Sequence, residues 1–278
     1  MSYQEILGVA VRAAEAGARE LRERFRSVEL EVEAKAKNDL VTSADRASER
    51  AVIASIRSAF PEHAILAEEA GWSNCGGEMQ WVVDPLDGTN NFLQGLPMFC
   101  VSIACLERGE PVAAVVLDPL REERYVATRG GGAFRNEQRL QVSACEGLDG
   151  AFLATGYPFR AHATLDLYLD VFRAVFLRAR AIRRCGAAAL DLAYTAAGTY
   201  DGFFEFRLSP WDIAAGVLLI EEAGGRVSDL DGGREYFREG NVLAGAEGTW
   251  AELRRVVGSR ATEDKLRELE CPPATVMG

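Results

Sequence analysis

Trp81-Val82-Val83-Asp84-Pro85-Leu86-Asp87-Gly88-Thr89 is the stretch on which the reading of this chain turns. An apolar run with the composition of a buried strand delivers Asp84 at its C-terminal end, and Pro85 fixes the turn that follows. Asp87 returns three residues later. Gly88 lets the backbone approach a bound anion closely, with its own N–H and that of Thr89 as donors. Two carboxylates on one turn suit a hard cation such as Mg²⁺, which takes oxygen ligands and often bridges to substrate phosphates. An isolated Asp-x-x-Asp is more commonly an ordinary strand-to-helix turn with Asp87 as N-cap. Here that account must also explain an apolar strand ending in acid, a rigid turn and a glycine, and it becomes the weaker one.

Other acids join this turn by argument rather than by spacing. Glu68-Glu69 follows Ala64-Ile65-Leu66-Ala67, so a second apolar strand ends in acid. If the two strands are neighbours, their C-terminal ends place Glu68 beside Asp84. Asp212 lies in Ser209-Pro210-Trp211-Asp212, a good helix start with Ser209 as N-cap and Pro210 at the first helical position. Spacing alone favours that capping role, although a carboxylate at a helix N-terminus can also face a metal. Thr42 and Asp45 likewise have an easy capping role at the start of a second helix. Asp229-Leu230-Asp231-Gly232 offers a superficial Asp-x-Asp, but it follows a glycine pair and a weakly apolar run and reads as a plain turn; Gly240 stands where a calcium loop needs its glutamate.

The 31 lysines and arginines against 42 aspartates and glutamates give a net charge of −11. Such a surface repels phosphate backbones and argues against nucleic-acid binding as the main activity. The six cysteines show no Cys-x-x-Cys spacing and have only His63 and His162 as companions, so neither a zinc site nor a disulfide framework is expected. No cysteine has an arginine six positions later, and the Gly-x-Ser-x-Gly, Gly-x-x-x-x-Gly-Lys and Gly-x-Gly-x-x-Gly patterns are missing. Without a signal-like N-terminus or a run of roughly 20 apolar residues, the expectation is a cytoplasmic protein.

Helical spacing predicts a first helix over 4–25, and polar–apolar alternation a strand over 28–34. Ser43 is expected to cap a helix over 44–59. Strands follow at 64–67 and 80–84, separated by a Gly-rich loop at 70–79. Strands at 98–107, 112–117 and 124–128 form an antiparallel meander. Beyond a strand at 152–155 come helices at 164–178 and 187–198, a strand at 202–206 and a helix at 210–223. Strands at 226–228 and 242–245 and a helix at 247–259 close the fold. This order argues α+β layers, in two packed halves, residues 1–145 and 146–270, with a disordered tail at 271–278.

The sequence resembles the inositol monophosphatase family, within the superfamily that includes fructose-1,6-bisphosphatase. Glu68-Glu69, Asp84-Pro85-Leu86-Asp87-Gly88-Thr89-Asn90-Asn91-Phe92 and Trp211-Asp212-Ile213-Ala214-Ala215-Gly216 with Glu222-Ala223-Gly224-Gly225 carry the likeness, in the family's order. Leu40-Val41-Thr42, Ala154-Thr155-Gly156-Tyr157-Pro158-Phe159 and Asp191-Leu192-Ala193-Tyr194 place it nearest the bacterial branch. The resemblance implies a layered αβαβα sandwich, two or three Mg²⁺ ions, inhibition by Li⁺ and a homodimer. It makes Glu68, Asp84, Asp87, Asp212 and the carbonyl of Leu86 metal ligands. Thr89, bonded towards Asp45, would orient and deprotonate the attacking water alongside Glu68. The backbone of Gly88 and Thr89 would hold phosphate, while Asp87, Gly186, Ala187, Ala188, Glu205 and Asp212 would meet a small phosphorylated polyol. Asn90 departs from the frequent second threonine and Glu137 from the usual glycine, and the loop at 70–79 is compact. Inositol monophosphate is the leading substrate. Fructose 1,6-bisphosphate and histidinol phosphate are alternatives, with a 3′-phosphonucleotide last. A different class of function is association with the transcription machinery, which bacterial relatives can show.

Overall fold

The computed structural model describes residues 2–28, 30–36, 39–73, 77–157 and 162–269. The expected disordered tail lies outside the described residues, as do Cys75, Cys271 and the Pro158-Phe159 end of one family segment.

Helix α1 (Tyr3–Arg24) buries Ile6, Ala10, Ala13, Ala14 and Leu21 along one stripe. It packs on α2 (Ser43–Ala59) at close range: a Cβ added to Gly17 would lie 2.7 Å from Ser48 Oγ and 2.8 Å from Val52 Cγ2. Between the two helices runs an antiparallel hairpin of β1 (Val32–Ala36) and β2 (Asp39–Thr42). The strand expected at 28–34 therefore begins four residues late. Val28 and Val32 are exposed, so the alternation there reports no buried face, and pairing with β2 defines the strand instead. Ser43 is not the cap of α2. Thr42 is, because Asp45 stands three residues on and returns a hydrogen bond to the Thr42 N–H, completing a reciprocal capping box.

Strands β3 (Ala64–Ala67), β4 (Gly71–Ser73), β5 (Met79–Asp87), β6 (Cys100–Glu107), β7 (Glu110–Asp118), β8 (Glu123–Thr128), β9 (Gly132–Arg135) and β10 (Gln138–Arg139) form one sheet. Their order is β10-β9-β8-β7-β6-β5-β3-β4. The expected meander is its centre; β4, β9 and β10 are short and were not legible as strands. A one-turn helix α3 (Thr89–Leu93) follows β5. The second sheet contains β11 (Phe152–Thr155), β12 (Ala181–Arg183), β13 (Gly202–Glu205), β14 (Arg226–Ser228) and β15 (Val242–Gly245), in the order β12-β11-β13-β15-β14. Helices α4 (Leu165–Phe176), α5 (Ala188–Ala196), α6 (Pro210–Glu222), α7 (Tyr236–Glu239), α8 (Glu247–Gly258) and α9 (Glu263–Glu268) complete the chain.

Three cores stack these elements into five layers. Val83, Ile103 and Val115 face α1 and α2, whereas Val82, Ala104 and Ala114 face α5 and α6 on the other side of the first sheet. Phe203 and Ala244 close that middle layer from the second sheet; their neighbours Phe204 and Leu243 turn outward to Tyr168 and Val171 of α4 and Leu253 of α8. The result is the expected αβαβα sandwich. Because the first sheet is covered on both faces, its central strands read as continuous apolar runs rather than alternations. Among the described residues, no helix is long and apolar enough to cross a membrane.

Candidate metal centre and substrate pocket

Strands β3 and β5 are parallel neighbours, with Ala67 opposite Val83. Glu68 continues the pairing, its N–H donating to the Val83 carbonyl at 3.1 Å. The two acids that end these strands therefore emerge side by side. After Asp84 the pairing of β5 with β6 shifts register, and the turn is tied by the Leu86 N–H donating to Asp84 Oδ1 at 3.0 Å. Gly88 sits at φ 96°, where a Cβ would lie 2.8 Å from the Met98 carbonyl oxygen, so only glycine permits this crossing. Gly88, and not Asp87, is the N-cap of the helix that follows.

Helix α6 enters from the opposite layer and brings Asp212, whose Oδ2 accepts the Ser209 N–H at 2.6 Å. One ligand oxygen each from Asp84, Asp87 and Asp212 lies within 4.8 Å of the other two. Asp84 and Asp87 are buried. Asp87 Oδ2 also accepts the Ala189 N–H at 2.8 Å, which fixes the start of α5 against the same turn. Glu68 stands outside the triad but lines the same pocket, with Leu86, Gly88, Thr89, Gly186, Ala187, Ala188 and Glu205.

Asp45 sits behind this wall, fully buried. Its Oδ2 accepts the Thr42 N–H at 2.9 Å and the Thr42 hydroxyl at 2.5 Å; its Oδ1 accepts the Thr89 hydroxyl at 3.0 Å. The Thr89 hydroxyl has a competing acceptor in the Leu86 carbonyl at 3.2 Å. The capping box of α2 thus aims one carboxylate at the pocket through a single hydroxyl.

The electrostatics are those of a site built for positive charge. Burial first, then the charges of Glu68, Asp87 and Asp212, push Asp84 well above the ordinary carboxylate range. Asp87 is raised to about 6, chiefly by burial and against the pull of the Ala189 N–H. Burial likewise raises Asp45 to about 6, with the Thr42 bonds opposing it. Glu205 is raised by burial and then by Asp191 and Asp212, with Arg184 acting the other way. Buried like charges at this separation are stable as ions only with a cation among them. Hard carboxylate and carbonyl oxygens fit Mg²⁺ or a similar ion.

The structure thus brings all the expected site residues to one pocket or, for Asp45, directly behind it. The pocket is also lined by Gly156, Tyr157, Arg184 and the run Phe206-Arg207-Leu208. The Arg184 guanidinium lies over the Tyr157 ring, 5.3 Å from its centroid. Arg184 and Arg207 were missed, since neither falls in a motif; the nearest signal was that Arg207 follows Glu205 by two residues, at the exit of a strand.

Comparison with known proteins bears on the family and the fold. The profile described as "Inositol monophosphatase family" matches residues 2–262. The protein called Nus factor SuhB from Pseudomonas aeruginosa is 49% identical over 251 residues, covering 87% of this chain and 92% of the relative. Its namesake from Escherichia coli K12 is 47% identical over 242 residues, covering 86% and 91%. Among solved structures, the extragenic suppressor protein suhB from Bartonella henselae superposes with a TM-score of 0.87 at 41% identity, covering 91% of this chain and 98% of that one. The inositol monophosphatase from Anabaena gives 0.84 at 37% identity, covering 93% and 97%. With the fold, the acidic turn and near-complete relatives in agreement, the chain belongs to the inositol monophosphatase family.

Proposed function

We propose that this protein hydrolyses the phosphate monoester of a small polyol, inositol monophosphate first, with Mg²⁺ held by Glu68, Asp84, Asp87, Asp212 and the Leu86 carbonyl. The observation that carries the reading is the approach of Asp84, Asp87 and Asp212 to within 4.8 Å, from two separate layers of the fold. Mg²⁺ bound there supplies the charge that draws a phosphate dianion among carboxylates and lowers the pKa of water. The residues do the positioning. The Thr89 hydroxyl donates a hydrogen bond to Asp45 Oδ1 and keeps its lone pairs for the attacking water. As the water loses one proton to Thr89 Oγ1, Thr89 passes its own to Asp45, while Glu68 accepts a hydrogen bond from the proton that stays on the nucleophile. A carboxyl raised to about 6 is well matched to a base working near neutrality. The N–H groups of Gly88 and Thr89 hold the phosphate oxygens, and Glu205, Asp212 and the start of α5 receive the polyol hydroxyls. In-line attack of this kind needs positioning and electrostatics rather than a covalent nucleophile.

The same reading includes inhibition by Li⁺, a homodimer and a cytoplasmic setting. A second reading, association with the transcription machinery, is supported by the relatives called Nus factor SuhB. The deciding experiment is a phosphate-release screen over inositol 1-phosphate, fructose 1,6-bisphosphate, histidinol phosphate and 3′-phosphoadenosine 5′-phosphate, with and without Mg²⁺ and Li⁺. Mg²⁺-dependent release, fastest from inositol 1-phosphate, is expected. No release from any ester, together with recovery of the protein on transcription complexes, would reverse the order of the two readings.

A further inference from the structure

Five non-glycine residues among those described adopt left-handed backbone: Arg26, Arg108, Glu122, Asn136 and Arg207. Four of them are accounted for locally. Arg26 donates twice to the Gly95 carbonyl, Arg108 pairs with Glu78, Asn136 accepts the Arg124 N–H, and Glu122 is exposed. Arg207, at φ 63°, is different. It lines the pocket, and its Nε and Nη2 are shut off from solvent with no hydrogen-bond partner. Those two nitrogens form one edge of the guanidinium, the edge that grips a carboxylate or phosphate with two parallel bonds.

The backbone here is held rather than loose. The Arg207 N–H donates to Asn241 Oδ1 at 3.2 Å and the Leu208 N–H to the Gly240 carbonyl at 2.8 Å. Glycine or asparagine would occupy such a turn with less strain. The chain instead keeps a long cation there and leaves its donor edge unsatisfied, two costs at one position of the pocket wall. The residue as a whole is partly exposed and lines the pocket, so the unsatisfied donors belong to a side chain that a ligand there can reach.

The pocket is also polar in the electrical sense. The same pocket is lined by the carboxylates Glu68, Asp84, Asp87, Glu205 and Asp212 and by the cations Arg184 and Arg207. A substrate whose scissile phosphate sits among the carboxylates has two cations in the same pocket to meet its leaving group. We infer that Arg207 is a specificity-determining residue which, among open-chain polyol phosphates, favours those whose leaving group carries a second oxyanion, phosphate or carboxylate. The inference rests on the phosphatase reading above and adds a substrate class to it.

A matched set of linear esters tests it: sorbitol 6-phosphate, 6-phosphogluconate and sorbitol 1,6-bisphosphate, with inositol 1-phosphate as reference, assayed by initial phosphate release in Mg²⁺. The wild type should show kcat/KM about tenfold or more higher for the esters with a second oxyanion than for sorbitol 6-phosphate. Gain with only one of the two identifies the oxyanion as phosphate or carboxylate. In Arg207→Gly and Arg207→Asn, both suited to the left-handed turn, that ratio should fall to about one; Arg207→Lys should keep only part of it, since it retains charge but not the fork. A merely structural role would lower all esters together and leave the ratio unmoved. A wild-type ratio of one, or a ratio unchanged in both variants, overturns the inference while inositol 1-phosphate is still hydrolysed. No release from any of the four overturns the phosphatase reading as well.

Discussion

Two aspartate-glycine turns in this chain look alike on paper and behave differently in the fold. In Asp229-Leu230-Asp231-Gly232 the first acid is buried, and its carboxylate is consumed by its own loop. Its Oδ1 accepts the N–H groups of Asp231 and Gly233 at 3.0 and 2.6 Å, and its Oδ2 that of Glu235 at 3.0 Å. In Asp84-Pro85-Leu86-Asp87-Gly88 the buried Asp84 accepts one backbone N–H, from Leu86, and faces three other acids. A carboxylate surrounded by N–H donors holds a turn; carboxylates turned on one another call for a cation. The sign of the neighbours, rather than the motif, separates structure from chemistry.

Exchanging the roles of the two turns is the strongest test of that contrast. Asp84→Asn should keep the fold, by circular dichroism and melting, yet lose roughly 10²–10³-fold or more of phosphate release in Mg²⁺. Near-normal turnover would place the chemistry elsewhere. Asp229→Ala should do the reverse, lowering unfolding free energy by about 2–4 kcal/mol in urea titration as three N–H groups lose their acceptor, with kcat near that of wild type.

Metal sharpens the comparison further. Mg²⁺ at 100 times its Kd should stabilise the chelator-treated protein by about 2.7 kcal/mol. An Asp84→Asn, Asp212→Asn double variant should melt at the same temperature with and without the ion. An Mg²⁺-dependent shift that survives in the double variant would refute the assignment of those two residues.

A smaller effect follows from Asp45. Its folded pKa of about 6 lies above the ordinary carboxylate value of 3.8, so the native state binds this proton more tightly than the unfolded chain. The associated stability is complete below about pH 4 and is lost as pH rises through about 6. In chelator, Asp45→Asn should therefore lose less stability between pH 4 and 7 than wild type, by on the order of 2 kcal/mol; parallel profiles would contradict it. Smallest of all, Thr42→Ala should cost about 1 kcal/mol as the cap of α2 is lost. Thr42→Ser should restore it, as read by urea midpoint.

The linear order of residues determined a good deal. The apolar runs at 64–67 and 81–83 are strands because only a sheet covered on both faces buries such unbroken hydrophobicity. Pro210 and Ser209 mark the start of α6, and the acid–glycine turn after β5 is local chemistry that any fold would have to honour. Tertiary structure alone decided the rest, because it depends on contacts distant in sequence. Parallel pairing of β3 with β5 sets Glu68 beside Asp84, and the layer of α6 carries Asp212 across to them from more than a hundred residues away. The β1 strand escaped its expected bounds because Val28 and Val32 are exposed and carry no burial signal. Arg184 and Arg207 share the pocket with the carboxylates only because two sheets stack, and no local pattern records that meeting of opposite charges.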